Sequence, residues 1–356
     1  MREKIKVLIV DDSAIVRDTL TRHLNSHDDI EVVGTAPDPY IARDKIVKLK
    51  PDVLLLDIEM PKMDGLSFLE KLMVYHPLPV IIVSSITTKD TSAIFRAFEL
   101  GAFDVVNKSS MYSVQEVLNE IVYKVRQAFE NREVFLKKFK SAIPTNKKET
   151  KITKKQHLAE ISTTDMVIGI GASTGGTTAI EFLLSNLPKN LPPILIVQHM
   201  PPGFTNQFAH RLNEISQLQV KEAEENDILE LGKVLIAPGG FHLKVLRMGN
   251  IAKVHLDDSE KVNFQKPSVD VLFESLAETF GKNTLAILLT GMGKDGAAGL
   301  WKIKQKGGYT IVQDEETSIV WGMPKAAIDL NAHTEILPLS KIPEKIIQYL
   351  KTLSSL

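Results

Sequence analysis

"MVIGIGASTGGTTAI", residues 166–180, passes from a short apolar run through glycines and a serine into a helix-compatible segment. The small residues in the middle suit a sharp turn between a buried strand and a helix. Two nucleotide-binding readings of that turn each fail by one residue. The dinucleotide fingerprint needs glycine where Thr174 stands, and the phosphate-loop pattern needs lysine where Thr177 stands. Gly171-Ala172-Ser173-Thr174-Gly175 instead satisfies G-x-S-x-G, a turn that exposes a serine hydroxyl at the end of a strand.

The same strand–turn–helix unit recurs on both sides. Downstream, "PPILIVQH", "KVLIAPG", "TLAILLTG" and "YTIVQD" are further strand candidates, and "HLKVLRMGN" and "IAKVHLDD" flank a Gly249-Asn250 hairpin turn. Upstream, "KVLIV" (6–10), "EVVGTA" (31–36), "DVLLLD" (52–57), "PVIIVSS" (79–85) and "DVVNK" (104–108) alternate with helical patterns. The expected fold is α/β, two doubly wound parallel-sheet domains. A long polar helix is expected from Ser113 to Lys140. Eight lysines and one acidic residue then fall between Lys137 and Lys155. This stretch reads as an exposed linker, with a docking site for an acidic partner as the alternative. The resulting domains are 1–125, a helix extension and lysine-rich linker over 126–163, and 164–356.

A chain of 356 residues, 44% hydrophobic and 24% charged, has the length and composition of two globular domains. It has no cysteine, which excludes thiol catalysis, disulfides and cysteine-ligated metals. Its formal net charge of −1 gives no global pull toward nucleic acid or anionic membrane. No apolar run approaches the roughly 20 residues of a membrane-spanning helix. A cytoplasmic protein is expected, with neither nucleic acid nor membrane insertion among its partners.

Three carboxylates fall at strand ends in the first domain: Asp11, Asp12 and Asp57. The carboxyl ends of parallel strands share one edge, where ligands bind. Carboxylates gathered there repel one another unless a hard cation such as Mg²⁺ intervenes. Lys108 would add a fixed positive charge and Ser84 a hydroxyl, a set able to hold a phosphoryl group on Asp57. Singly, each aspartate also fits a helix N-cap. These residues, with "LLLDIEMPKMDGL", resemble the receiver domain of a two-component response regulator. The resemblance implies a flavodoxin-like fold, Mg²⁺ dependence and phosphorylation of Asp57 by a chemotaxis histidine kinase. "KSS" (108–110) departs from the lysine–proline common at that point.

In the second domain Ser173 needs a base, and the base needs an orienting carboxylate. Taken alone, Ser173 also fits a helix N-cap, and Asp295 a turn residue among glycines. His199 ends a buried strand as Ser173 does, while His242 is a rival base after a longer turn. Asp295 lies in a loop with Gly291, Gly293, Gly296 and Gly299, which let backbone N–H groups approach a substrate oxygen closely. Met292 and Thr174 are the candidate oxyanion donors. "GASTGG", "QHMPPGFT", "APGGFHL", "KPSVDVLFES", "LLTGMGKDGAAG" and "WGMPKAA", in that order, resemble the catalytic domain of the chemotaxis protein-glutamate methylesterase family.

That resemblance implies a Rossmann-like methylesterase domain and a Ser173, His199, Asp295 triad needing no cofactor. Its substrates would be glutamate γ-methyl esters on methyl-accepting chemotaxis receptors, with deamidation of selected glutamines. It also implies a receiver that covers the catalytic edge until Asp57 is phosphorylated, so a chain beginning near Thr164 is expected to be active unphosphorylated. A silent adaptor, a transcription factor and a hydrolase for some other methyl ester are the competing classes.

Overall fold

The computed structural model describes residues 4–60, 63–85, 91–108, 113–142 and 165–354. The chain divides into two compact units, Met1–Asn146 and Lys147–Leu356. Of the lysine-rich stretch, everything beyond residue 142 up to residue 164 lies outside the described residues.

The first unit runs β1 (Ile5–Val10), α1 (Ala14–Asn25), β2 (Ile30–Ala36), α2 (Pro39–Leu49), β3 (Val53–Leu56), α3 (Gly65–Tyr75), β4 (Val80–Ser84), α4 (Thr91–Glu99), β5 (Asp104–Asn107), α5 (Val114–Glu130) and α6 (Arg132–Ala142). Its strands pair in parallel in the order β2-β1-β3-β4-β5, the flavodoxin-like order. Every expected strand is present, with ends shifted by at most one residue. The strands Val53–Leu56 and Val80–Ser84 are buried throughout, which is why they read as unbroken apolar runs. Helix starts are fixed locally by the Ser13, Asp38 and Asp64 side chains and by the Ser113–Glu116 capping box. Asp11, Asp12 and Asp57 are not the capping residues, so the cap reading of those three is set aside.

The long helix expected over Ser113–Lys140 is in fact two, α5 and α6, parted at Asn131. Asn131 Nδ2 donates back to the Gln127 carbonyl at 2.9 Å, and the Asn131 carbonyl accepts the first turn of α6 from Phe135 N at 3.0 Å. Phe135 is thereby buried edge-on against Phe103. Asparagine's competing side-chain hydrogen bonds explain the break.

The second unit runs β6 (Val167–Ala172), α7 (Gly176–Ser185), β7 (Ile194–Gln198), α8 (Phe204–Ile215), β8 (Gln219–Glu222), β9 (Lys233–Ile236), β10 (His242–Met248), β11 (Ile251–Asp257), α9 (Val269–Thr279), β12 (Thr284–Leu288), α10 (Ala297–Gln305), β13 (Tyr309–Gln313), α11 (Met323–Asp329), β14 (Glu335–Leu337) and α12 (Ile342–Ser354). Seven strands pair in parallel in the order β14-β13-β12-β6-β7-β9-β8, and β10 and β11 form the expected antiparallel hairpin. The order is Rossmann-like at the centre but places β9 between β7 and β8. The edge strands β8 and β14 were not expected. Both are short and only partly buried, so neither carries an apolar run.

Helix α9 packs closely on the central strands because glycine leaves room for it. A Cβ on Gly171 would lie 2.2 Å from Val269 Cγ1 and 3.1 Å from Leu288 Cδ1. Gly171→Ala is therefore expected to destabilise the second unit by roughly 1–3 kcal/mol through overpacking, read as a lower denaturant midpoint.

Candidate active site

The strand order of the second unit reverses between β6 and β12, with β7 and β13 on their outer sides. Loops leaving the carboxyl ends of such a pair part to opposite faces and open a crevice. Ser173 directly follows β6 and His199 directly follows β7, and Ala172 and Gln198 are register partners on those strands. Ser173 N donates to the Thr290 carbonyl at 3.0 Å, and His199 N to the Ala172 carbonyl at 3.1 Å. The loop carrying Asp295 leaves the same edge from β12. The three residues singled out from the sequence thus share one strand edge.

Gly175, with φ of +78°, is the N-cap of α7 and supplies no side-chain cap. A left-handed residue here suits glycine and produces the sharp turn on which Ser173 sits. Ser173 is buried, and its Oγ holds no hydrogen bond among the described residues. It is not spent as a helix cap.

His199 Nε2 lies 2.8 Å from Asp295 Oδ2, with side chains only 5% and 2% exposed. A carboxylate only accepts, so Nε2 carries the proton and the Nδ1 lone pair is the basic one. Nδ1 is buried without a hydrogen-bond partner among the described residues. Asp295 also accepts from Ser268 Oγ at 2.7 Å, Asn263 Nδ2 at 3.0 Å, Val269 N at 2.6 Å and Asp270 N at 3.2 Å. The last two donors open α9, so the carboxylate also sits at a helix N-terminus. Burial pushes its carboxyl up, but hydrogen bonds from His199, Ser268 and Asn263 together with the His199 charge outweigh that and hold it well below the usual carboxylate range. A charged Asp295 is thus built in.

His242, the rival base, is fully buried and fully engaged. Its Nδ1 accepts from Ser268 N at 3.1 Å and its Nε2 lies 2.9 Å from the Glu260 carbonyl, which fixes a neutral ring. Burial lowers its pKa further. It braces Ser268, and through it Asp295, and has no lone pair left for Ser173.

Three supports of Asp295 were missed in the sequence: Asn263, Ser268 and Asp270. Asp270 accepts from Asn263 Nδ2 at 2.8 Å and Gly299 N at 2.7 Å, and burial followed by the Asp295 charge raises its pKa. Ser268 immediately ahead of a helical apolar pattern was the only signal available, and it identifies a cap, not what the cap holds. Of the oxyanion candidates, Met292 N–H holds no hydrogen bond among the described residues, and Thr174 adjoins Ser173 with its carbonyl accepting from Thr290 Oγ1 at 2.9 Å.

The family model for the CheB methylesterase matches residues 168–346, and that for the response regulator receiver domain matches residues 7–132. The chain belongs to the CheB methylesterase family. A protein-glutamate methylesterase/protein-glutamine glutaminase of Sulfurimonas denitrificans is 49% identical over 97% of this chain and 98% of its own length. One from Syntrophus aciditrophicus is 49% identical over 97% and 99%. The crystal structure of the Thermotoga maritima CheB methylesterase catalytic domain matches with a TM-score of 0.51 and 46% identity, covering 52% of this chain and 98% of that one.

The receiver unit of this CheB-family chain carries the second constellation. Asp11, Asp12 and Asp57 bring carboxylate oxygens within 4.8 Å of one another. Lys108 Nζ donates to Asp57 Oδ2 at 2.6 Å and also to Asp11 Oδ2. Burial raises the Asp11 pKa against the opposing pull of Lys108. Three carboxylates facing one ammonium leave an excess of negative charge, and their all-oxygen donor set fits a hard divalent cation. Ser84 is fully buried, its Oγ has no hydrogen-bond partner among the described residues, and Lys108 N donates to its carbonyl at 3.0 Å. All five residues singled out from the sequence therefore gather at the carboxyl edge, beside the reversal between β1 and β3.

Proposed function

We propose that this chain is a phosphorylation-controlled protein-glutamate methylesterase, with Ser173, His199 and Asp295 as its triad and methyl-accepting chemotaxis receptors as its substrate. The observation that carries this reading is the buried His199–Asp295 pair, which leaves the Nδ1 lone pair unengaged among the described residues, at the end of the strand that neighbours the one Ser173 follows. His199 Nδ1 takes the Ser173 proton as Oγ attacks the ester carbonyl, and Asp295 stabilises the imidazolium that forms. Met292 N–H, with Thr174 N–H, receives the developing oxyanion. His199 returns the proton to the departing methoxy group, methanol leaves, and water attacking the acyl-serine restores Ser173 and releases the glutamate. The same attack on a glutamine amide expels ammonia, which accounts for the glutaminase named for the relatives. Each turnover adds a negative charge to the receptor.

Residues 1–125 form the receiver in this reading, 126–163 the helix extension and linker, and 164–356 the catalytic domain. Asp57 accepts a phosphoryl group from a chemotaxis histidine kinase, with Lys108 and Ser84 holding its oxygens. Mg²⁺, held by Asp11, Asp12 and Asp57, would neutralise charge on the group in transfer. Among the described residues no helix is long and apolar enough to cross a membrane, in keeping with action on the cytoplasmic part of a receptor.

The test is methanol release from methylated receptor membranes with and without Mg²⁺ and acetyl phosphate. Release that rises with the phosphodonor supports the switch, and Asp57→Asn should remove the rise while leaving the unstimulated rate. Folded protein that releases no methanol under either condition overturns the substrate.

A further inference from the structure

Gln198 is a polar side chain at the end of a strand that is otherwise apolar and buried throughout, and it is itself only 3% exposed. It stands in the "QHMPPGFT" stretch, yet the triad makes no use of it. Gln198 and Ala172 are register partners on neighbouring strands, so their side chains leave the same face of the sheet. Room for the longer one comes from two small neighbours. A Cβ on Gly176, the first residue of α7, would lie 2.1 Å from Gln198 Oε1 and 2.6 Å from Ala172 Cβ.

The amide spans the turns that carry the nucleophile and the base. Gln198 Nε2 donates to the Ser173 carbonyl at 2.9 Å and to the His199 carbonyl at 3.3 Å. Two carbonyls facing one end of an amide require its nitrogen there, which settles the orientation of the group. The other end, Oε1, is buried against Gly176 with no hydrogen-bond partner among the described residues. A buried acceptor left without a donor costs stability, and an apolar side chain of similar length would avoid that cost. The Ser173 carbonyl also accepts from Gly176 N at 2.7 Å, so it is satisfied without Gln198. Core stability alone therefore does not account for a glutamine at this position. What the amide adds is a link between the main chains of Ser173 and His199.

We infer that Gln198 is a positioning residue for the esterase reaction, its amide holding the Ser173 and His199 main chains at a fixed separation so that Oγ and Nδ1 meet as the ester is attacked. This rests on the proposed methylesterase reading and deepens it by naming a residue outside the triad on which the rate depends. The need arises because nucleophile and base are not tied directly to each other. Ser173 Oγ holds no hydrogen bond among the described residues, and neither does His199 Nδ1. Their spacing is carried by the backbone bond from His199 N to the Ala172 carbonyl and by the Gln198 amide. Asp295 fixes the far nitrogen of the imidazole, whereas Gln198 fixes the chain from which the ring and the serine project. A misplacement of about 1 Å in such a pair costs on the order of 100-fold in rate.

The experiment compares full-length wild type, Gln198→Met and Gln198→Leu on methylated receptor membranes, with methanol release fitted for kcat and KM and denaturant unfolding measured alongside. Both variants keep an apolar body in the core and remove the donor together with the stranded acceptor, so the denaturant midpoint should stay near that of wild type. The kcat should fall about 10- to 100-fold while KM stays within about twofold. An unchanged kcat in either variant, with wild type active, overturns the positioning role and leaves the methylesterase reading standing. A large fall in the midpoint, or kcat and KM moving together, also overturns it and makes the amide a support for the fold alone. Folded wild type that releases no methanol overturns the methylesterase reading, and the positioning role falls with it.

Discussion

Ser173→Ala is expected to lower methanol release from methylated receptor membranes by roughly 10⁴-fold or more, because the covalent route is lost and only binding and the oxyanion donors remain. The substitution should cost the fold about 1 kcal/mol or less. Ser173 Oγ holds no hydrogen bond among the described residues, and the turn is shaped by Gly175, by the Ser173 N–H to Thr290 and by Gly176 N donating to the Ser173 carbonyl at 2.7 Å. A large kinetic loss with an unmoved denaturant midpoint is the signature of a nucleophile. Retained activity in the alanine variant would make the serine only a turn residue and place the chemistry on another group.

Asp295→Asn should be the most damaging substitution at the site, since it strikes both activity and stability. An amide in place of the Oδ2 acceptor turns an N–H toward His199 Nε2, which disfavours the tautomer with its lone pair on Nδ1, and a loss of about 10⁴-fold in kcat is the expected size. The other partners of Asp295 are donors as well: Ser268 Oγ, Asn263 Nδ2 and two backbone N–H groups. One asparagine oxygen cannot accept them all, so the cost to stability should be about 1–3 kcal/mol.

The pH profile of stability separates this account from a simple packing defect. Asp295, depressed in the fold, contributes stability that is present above the ordinary carboxyl value of 3.8 and is lost as pH falls through its folded value. Asp270 is raised, by burial and then by the Asp295 charge, to about 6. It contributes in the opposite sense, with stability present below 3.8 and lost as pH rises through about 6. Removing the Asp295 charge should flatten both limbs, because the first contributor is gone and the second loses one of its causes. An Asp295→Asn melting profile parallel to that of wild type from pH 3 to 7 would show that the two carboxyls do not communicate.

Much of this was legible in the chain. Asp11, Asp12, Asp57, Ser84 and Lys108 were found because parallel strands announce their ends with a change from apolar to polar residues, and all such ends share one edge. Ser173 and His199 were found the same way, as residues that terminate fully apolar strands. The glycine punctuation marked the turns, and the Gly249-Asn250 hairpin was read from two residues. The edge strands β8 and β14 were not legible because their burial depends on one-sided pairing at the sheet edges, and the break at Asn131 was not legible because it rests on a side-chain hydrogen bond back to Gln127 that a single asparagine does not announce.

What the sequence by itself determined was which residues stand at strand ends, and hence which groups could meet. Which histidine keeps a lone pair was decided only by the tertiary structure. His199 and His242 are equivalent as letters, but the N-cap of α9 delivers the Ser268 N–H to one ring and the loop after β12 delivers Asp295 to the other. The same helix start turns Asp295 from a loop residue among glycines into a carboxylate held charged by five donors. Hydrogen-bond donors that converge from residues 199, 263 and 268–270 on residue 295 are remote along the chain. No local pattern encodes their meeting, because it is the folding of the sheet and the close approach of α9 over Gly171 that brings them together.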